Sequence, residues 1–208
     1  MRSFIGNSHT LKVVLSIACV LVSASAWCQV TPGSGDMSYS LGYDHVAKGN
    51  NFADQSGNSV TTGFNGGYNI NRYIEAGGEF NFFNDPQPNV GGVNVGMHIL
   101  NYGGLARFNL APGSKIVPYG VFGIGGSHAT AHASLGSSSA SQSENGYYLG
   151  GGGGMSYYVG PNWGVRAELR DNWNHFTYQG SKNSTNAFAM TGGIFYQFGG
   201  TLKRPAKK

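Results

Sequence analysis

The sequence predicts an all-β protein, an eight-stranded antiparallel up-and-down transmembrane β-barrel, and three observations carry that prediction. Eight segments alternate apolar and polar residues with a period of two, as a strand does when one face meets an apolar medium and the other a polar one. Only 11% of the 208 residues are charged, against about 25% in an ordinary globular chain, while 35 glycines, 12 tyrosines and 12 phenylalanines raise the small and aromatic content. Mean hydropathy is nonetheless slightly negative, because lipid-facing and polar positions cancel when averaged along alternating strands. Finally, short and long connections follow one another strictly along the chain. A chain of this length fits one domain.

The first 26 residues read as an export leader. Arg2 and Lys12 precede the apolar run 13–22, and Ala24, Ser25 and Ala26 offer the small residues a signal peptidase reads. That run is too short to cross a bilayer, and no later run reaches the roughly 20 apolar residues a spanning helix needs. Cleavage is expected near Ala26 or after Cys28. Cys19 then departs with the leader, so Cys28 has no intramolecular partner. The bulky Trp27 before Cys28 argues against lipid attachment there. Formal charge is +4, but of the 13 basic residues two leave with the leader. Lys203, Arg204, Lys207 and Lys208 belong to a C-terminal tail over 200–208, so the barrel itself is slightly acidic. A basic nucleic-acid footprint is not supported.

After a short lead over 27–36, the barrel is expected over 37–199. Segment 37–46 sets Met37, Tyr39, Leu41 and Tyr43 against Ser38, Ser40, Gly42 and Asp44. Segment 60–70 sets Val60, Phe64, Tyr68 and Ile70 against Thr61, Gly63, Asn65 and Asn69. In 73–83, Ile74, Ala76, Phe80 and Phe82 oppose Glu75, Gly77, Glu79 and Asn81. In 97–110, Leu100, Tyr102, Ala106 and Phe108 oppose Asn101, Gly103, Arg107 and Asn109, with Leu105 out of pattern. Segments 116–126 and 147–159 are so rich in glycine that strands are expected but their faces stay unassigned. In the seventh segment Trp163, Val165, Ala167 and Leu169 alternate with Arg166, Glu168 and Arg170 before Trp173. A slip of one residue there would turn both arginines toward lipid, at roughly 2 to 4 kcal/mol each near the midplane.

The eighth segment sets Phe188, Met190, Ile194, Tyr196 and Phe198 against Ala187, Ala189, Thr191, Gly193 and Gln197, with Phe195 on the opposite face from the other aromatic residues. Asn71-Arg72, Pro112-Gly113 and Gly160-Pro161-Asn162 are tight turn sequences. Connections 47–59, 84–96, 128–146 and 179–185 are longer and polar. Short turns at one end and long loops at the other are the pattern of an up-and-down membrane barrel.

The Thr191, Gly193, Tyr196, Phe198 spacing and the Val117-Pro118-Tyr119-Gly120 stretch opening a glycine-rich strand carry a resemblance over nearly the whole mature chain. The chain resembles the small eight-stranded outer-membrane barrels, the OmpA transmembrane-domain, OmpX and opacity-protein group. The resemblance implies that Thr191, Gly193, Tyr196 and Phe198 form the membrane-insertion signal. It further implies a monomer in outer-membrane lipid and lipopolysaccharide, delivered by the barrel-assembly machinery, with both termini periplasmic. Ten residues follow Phe198, where the family commonly ends on its last aromatic residue, and no peptidoglycan-binding domain follows.

Eight strands enclose a lumen just wide enough to be filled by side chains, and a diffusion pore takes about sixteen. Glu75, Glu79, Arg107, Arg166, Glu168 and Arg170 all fall on the expected inner face. Burial forbids leaving such charges single, so an ion-pair network plugging the lumen is expected, with a gated ion path as the alternative. The glycine run 150–154 lacks the Lys-Ser/Thr of a phosphate loop and is expected to let lumen side chains approach the backbone. Tyr157, Tyr158, Trp163, Phe108, Tyr196 and Phe198 are expected as an interfacial girdle.

Function is expected to be non-enzymatic: envelope structure, or surface contact and a possible surface ligand through the long loops, without cofactor or metal. His128 and His132, four apart, lack the helix and carboxylates of a metal pair. The enzymatic alternative is a lipid A-modifying hydrolase using His132, Ser134 and Glu144, since small barrels that trim lipid A use such a set. A soluble lipocalin-type barrel would reverse the faces, placing charge outside. The basic tail is expected to be a solvated end.

Overall fold

A computed structural model of the protein describes residues 30–46, 57–84, 89–90, 93–135, 138–178 and 181–200. The expected leader, Cys28 and the basic residues of the tail lie outside them. Eight strands form the wall: β1 Ser34–Val46, β2 Gly57–Asn69, β3 Ile74–Asn84, β4 Val93–Asn109, β5 Ile116–Leu135, β6 Ser138–Tyr158, β7 Trp163–Tyr178 and β8 Ser181–Gly199. A two-residue pairing of Asn89–Val90 with the start of β4 adds a small hairpin. Every strand is antiparallel to its neighbours in chain order, and β1 closes on β8.

Following paired residues round the ring from Gly35 through Tyr68, Ala76, Ala106, Phe122, Gly151, Asp171 and Phe188 returns to β1 at His45, ten residues further on. A ten-residue stagger over eight strands, with about 3.3 Å rise and about 4.7 Å between strands, tilts the strands about 41° from the axis. Apart from Asp171, the exposed wall is apolar from Tyr196 and Trp163 at the end holding the first and last described residues to Val60 and Phe188 at the other. That is about ten residues of strand, or roughly 25 Å after the tilt, the height of the apolar band on such barrels.

The faces follow the alternation. Met37, Tyr39, Leu41 and Tyr43 are exposed, whereas Asp36, Ser38 and Asp44 are buried. β5 and β6 acquire faces as well: Phe122, Ile124, Tyr147 and Met155 point outward, and Val117, Tyr119, Val121 and Tyr148 inward. Leu105 and Phe195, the two residues out of pattern, are buried in the lumen. Tyr158 departs from the girdle expected of it. It is buried, its ring packs edge-on 4.9 Å from Phe195, and its hydroxyl donates to Gln197 Oε1 at 3.2 Å.

The connection expected over 128–146 is instead mostly strand. β5 continues to Leu135 and β6 begins at Ser138, because Ala129 keeps an apolar contact on the inward face while cross-strand polar contacts sustain the ladder on the outward one. His128 Nδ1 bonds Asn145 Oδ1 at 2.8 Å, and the Thr130 and Ser143 hydroxyls meet at 3.1 Å. The connections expected over 84–96 and 179–185 shorten similarly, to the starts of β4 at Val93 and β8 at Ser181. Of the connection over 47–59, residues 47–56 lie outside the described residues and β2 already begins at Gly57.

The three tight turns share one end of the barrel with the first and last described residues. Asn71 Oδ1 accepts from the Tyr73 and Ile74 amides at 2.7 and 2.8 Å, the Asx geometry that stops one strand and starts the next. Ser114 N donates to Ala111 O at 3.1 Å and Gly160 N to Trp163 O at 3.1 Å. β1 starts three residues before Met37. Ahead of it Val30 lies buried with Val117, Tyr158 and Phe195, its amide donating to Pro112 O at 3.2 Å.

Candidate functional site

Between two apolar layers the lumen is filled by charged and polar side chains, with Leu105, Tyr119 and Val121 as a small apolar cluster among them. The layer near the termini is Val30, Val117, Tyr158 and Phe195. The far layer is Phe83, Ile99, Ala129, Phe176, Ala187 and Ala189, with Met97 against it.

Next to the first layer stand Asp36 from β1, Glu75 from β3, Arg107 from β4 and Arg166 from β7. Arg107 Nη1 donates to Glu75 Oε1 at 2.5 Å and lies 3.9 Å from Asp36 Oδ1. Arg166 grips both Asp36 oxygens, Nη1 to Oδ1 at 3.1 Å and Nη2 to Oδ2 at 3.2 Å. Its Nε donates to Ser156 Oγ at 3.0 Å and its Nη1 to Ser38 Oγ at 3.2 Å. The forked guanidinium suits this task because it can serve both carboxylate oxygens at once. Arg107 also lies 4.9 Å above the Tyr119 ring, and Arg166 4.7 Å above that of Phe195, contacts that stabilise a desolvated cation.

Deeper in, Arg170 Nη1 donates to Glu79 Oε2, and its Nη2 lies 3.0 Å from Glu168 Oε1. Two phenols complete this tier. Tyr148 OH donates to Glu79 Oε1 at 2.7 Å, and Tyr119 OH to Glu168 Oε2 at 2.9 Å. Four carboxylates thus face three guanidiniums, and the phenol donors solvate the surplus negative charge.

The strands make room for these groups with glycine. A Cβ on Gly123 would stand 2.0 Å from Glu79 Oε1, one on Gly67 2.4 Å from Glu75 Oε1, and one on Gly154 2.6 Å from the Tyr119 hydroxyl. The run 150–154 therefore seats Tyr119 and Asn172 more directly than the arginines of β7. Beyond the ions, Asp44 accepts from Ser59, and Ser127 Oγ bonds Asn101 and Asn174 at 2.7 and 3.3 Å. A cavity of about 10 Å³, edged by Ser38, Asn65, Arg166 and Glu168, has room for about one water.

The structure brings together all six charges singled out in the sequence and adds Asp36, Tyr119 and Tyr148. Asp36 was legible as one more step of the β1 alternation. The two tyrosines depended on the register of β5 and β6.

Of the residues marked for membrane insertion, Thr191 and Gly193 stand on the inner face of β8, and Tyr196 and Phe198 on the outer face. Gly193 sits at the seam, where a Cβ would lie 2.1 Å from the Tyr39 carbonyl oxygen.

The hydrolase set is not assembled. His132 stands exposed on the outward side of β5, edge-on to His98 at 5.5 Å, whereas Glu144 falls on the inward side of β6 with Tyr148. Ser134 pairs through its backbone with Ser139 and Asn94, and its side chain lies outside those described. Strand alternation separates what a loop would have let converge. Among the described residues no three His, Cys, Asp or Glu side chains are grouped to hold a metal.

Charges inside and apolar side chains outside exclude a soluble lipocalin-type barrel. A closed eight-stranded ring with that polarity is a membrane-spanning β-barrel. The chain belongs to the outer membrane protein beta-barrel domain family, whose model matches residues 14–198. Its fold is similar to that of Neisserial surface protein A, with a TM-score of 0.60 and 18% identity over 80% of this chain and 99% of that one. The attachment invasion locus protein Ail of Yersinia pestis gives 0.52 and 15% over 79% and 99%. OprG from Pseudomonas aeruginosa gives 0.52 and 14% over 84% and 99%. No curated protein matches the sequence. The family places the protein in the outer membrane.

Proposed function

We propose that the protein is a non-enzymatic, monomeric outer-membrane barrel with a closed lumen. Its contribution is to envelope structure and to surface contact through the strand extensions and loops at the end opposite the termini. Both termini lie in the periplasm, and insertion by the barrel-assembly machinery uses Thr191, Gly193, Tyr196 and Phe198. The observation that carries this reading is the filled lumen: two apolar layers with buried, mutually paired charges between them. Such a stack supports a structural polar core over an ion path, since a passing ion would have to displace partners held at hydrogen-bond distance.

Planar-bilayer recording of the refolded chain tests it. No steady conductance is expected, whereas a reproducible step carried by monomeric protein would overturn the closed lumen. Tags at either end of the mature chain should be reached by protease only after the outer membrane is permeabilised. Cleavage on intact cells would reverse the orientation.

A further inference from the structure

The histidines have a common address. Of six in the chain, His9 falls in the expected leader, and the other five, His45, His98, His128, His132 and His175, stand on the outward face at the end opposite the termini. Outward placement follows from the alternation that puts Tyr43, Tyr102, Ile124 and Trp173 on the same side of the same strands. With the ten-residue stagger spread evenly over eight strands, His45, His98, His128 and His175 fall within roughly 5 Å of one level along the axis. That level lies just beyond the apolar band, past Val60, Phe82 and Phe188. His132 stands higher on β5.

Three of the four are braced in the same way. His45 Nδ1 bonds Asn58 Oδ1 at 2.7 Å, His128 Nδ1 bonds Asn145 Oδ1 at 2.8 Å, and His175 Nδ1 bonds Ser184 Oγ at 2.9 Å. Each partner is the residue directly opposite on the next strand. An amide oxygen only accepts, so Nδ1 carries the hydrogen at His45 and His128, and a second proton goes to Nε2. His98 packs between Phe82, at 6.4 Å, and His132, at 5.5 Å. The other titratable groups on this outward stretch, among the described residues, are Tyr147, with its ring 4.9 Å from His175, Asp171, four residues below His175 toward the midplane, Tyr43, two residues below His45, and Tyr102, four residues below His98. Asp44 and Glu144 fall on the inward side.

We propose that this belt is a binding site for the phosphate groups of outer-leaflet lipid, engaged when its imidazoles are protonated. The inference rests on the periplasmic placement of the termini, which puts the belt at the outer leaflet. Chemistry and position agree on the ligand. A ring of imidazoles at headgroup height meets phosphate oxygens from several lipids, each protonated Nε2 supplies a charge-assisted donor, and the low charge of the wall leaves few competing carboxylates. Protonation of the ring would turn this interfacial girdle into a set of charge-assisted donors. The protein would then hold its lipid collar more tightly as the medium outside the cell acidifies.

The test uses the mature chain refolded into nanodiscs of phosphatidylcholine, alone, with added phosphatidate, or with free inorganic phosphate. Native mass spectrometry counts retained phosphatidate, and NMR of labelled histidine reports the imidazoles. Retention should be about fivefold or more higher at about pH 5.5 than at about pH 8. The quadruple variant His45→Gln, His98→Gln, His128→Gln, His175→Gln should lose this difference. Glutamine keeps a hydrogen-bonding group toward the cross-strand partner, and a heat-shifted gel band confirms that the variant has folded. If the quadruple variant does not fold, each single variant should still lower the acid-dependent retention. Equal retention at the two pH values, or an acid response that survives the substitutions, overturns the proposal. Imidazole shifts of equal size with free phosphate alone would overturn the lipid assignment. The reconstituted assay contains no cellular orientation, so its failure is separate from a failure of the tag experiment.

Discussion

Replacing Arg107 with methionine removes the most enclosed charge of the lumen while keeping most of its volume. The guanidinium is wholly buried, 2.5 Å from Glu75 Oε1 and 3.9 Å from Asp36 Oδ1, against the face of Tyr119. Without it Asp36 keeps Arg166, but Glu75 loses its ion-pair partner in a buried interior. Orphaning one member of a buried pair costs about 3–5 kcal/mol, so Arg107→Met should lose that much in urea unfolding of the bilayer-inserted protein, followed by tryptophan fluorescence. The double variant Arg107→Met/Glu75→Gln removes both charges. It should return to within about 1–2 kcal/mol of the native chain, giving a coupling energy of about 2 kcal/mol or more. A single variant costing under about 1 kcal/mol, or strictly additive losses, would refute the premise that these charges are held by one another and not by water.

Depth should govern charge on the wall: Leu169→Arg, near mid-height, should cost about 2–4 kcal/mol, and Leu110→Arg, at the turn end, about 0–1 kcal/mol, in the same unfolding assay. Gly123→Val drives a side chain into Glu79 and should cost about 1–3 kcal/mol or more. Gly151→Ala, whose Cβ meets open space on the lipid side, should leave the heat-shifted gel band unchanged. His132→Ala and Glu144→Ala should leave the acyl pattern of lipid A as the native chain leaves it, and an altered pattern abolished by either would revive an enzymatic role.

Much of the wall was legible because alternation is a local property. β1, β2, β7 and β8 each carry aromatic or aliphatic residues on one side and hydroxyls, amides or charges on the other, and register follows from the cost of turning an arginine outward. β5 and β6 hid their faces because glycine at 120, 123, 125 and 150–154 carries no polarity to alternate. Their register came only from pairing with β4 and β7. The strand extensions past 128 and before 146 were hidden differently. Serine, threonine and histidine above the apolar band look like loop, yet they pair across strands as regularly as the residues below. In the lumen, the arginines and glutamates announced themselves by charge, whereas Tyr119 and Tyr148 have side chains equally at home on the outer wall. Only position distinguishes a girdle phenol from one that solvates a buried carboxylate.

Val30, ahead of β1, gathers Val117 of β5, Tyr158 of β6 and Phe195 of β8, so it meets the closing strand across most of the chain's length. Its berth is therefore complete only when the closing strand stands in place, as a cork fits only a finished bottleneck. Closure of the ring and capping of its lumen thus share one side chain, and a change at Phe195 would loosen both.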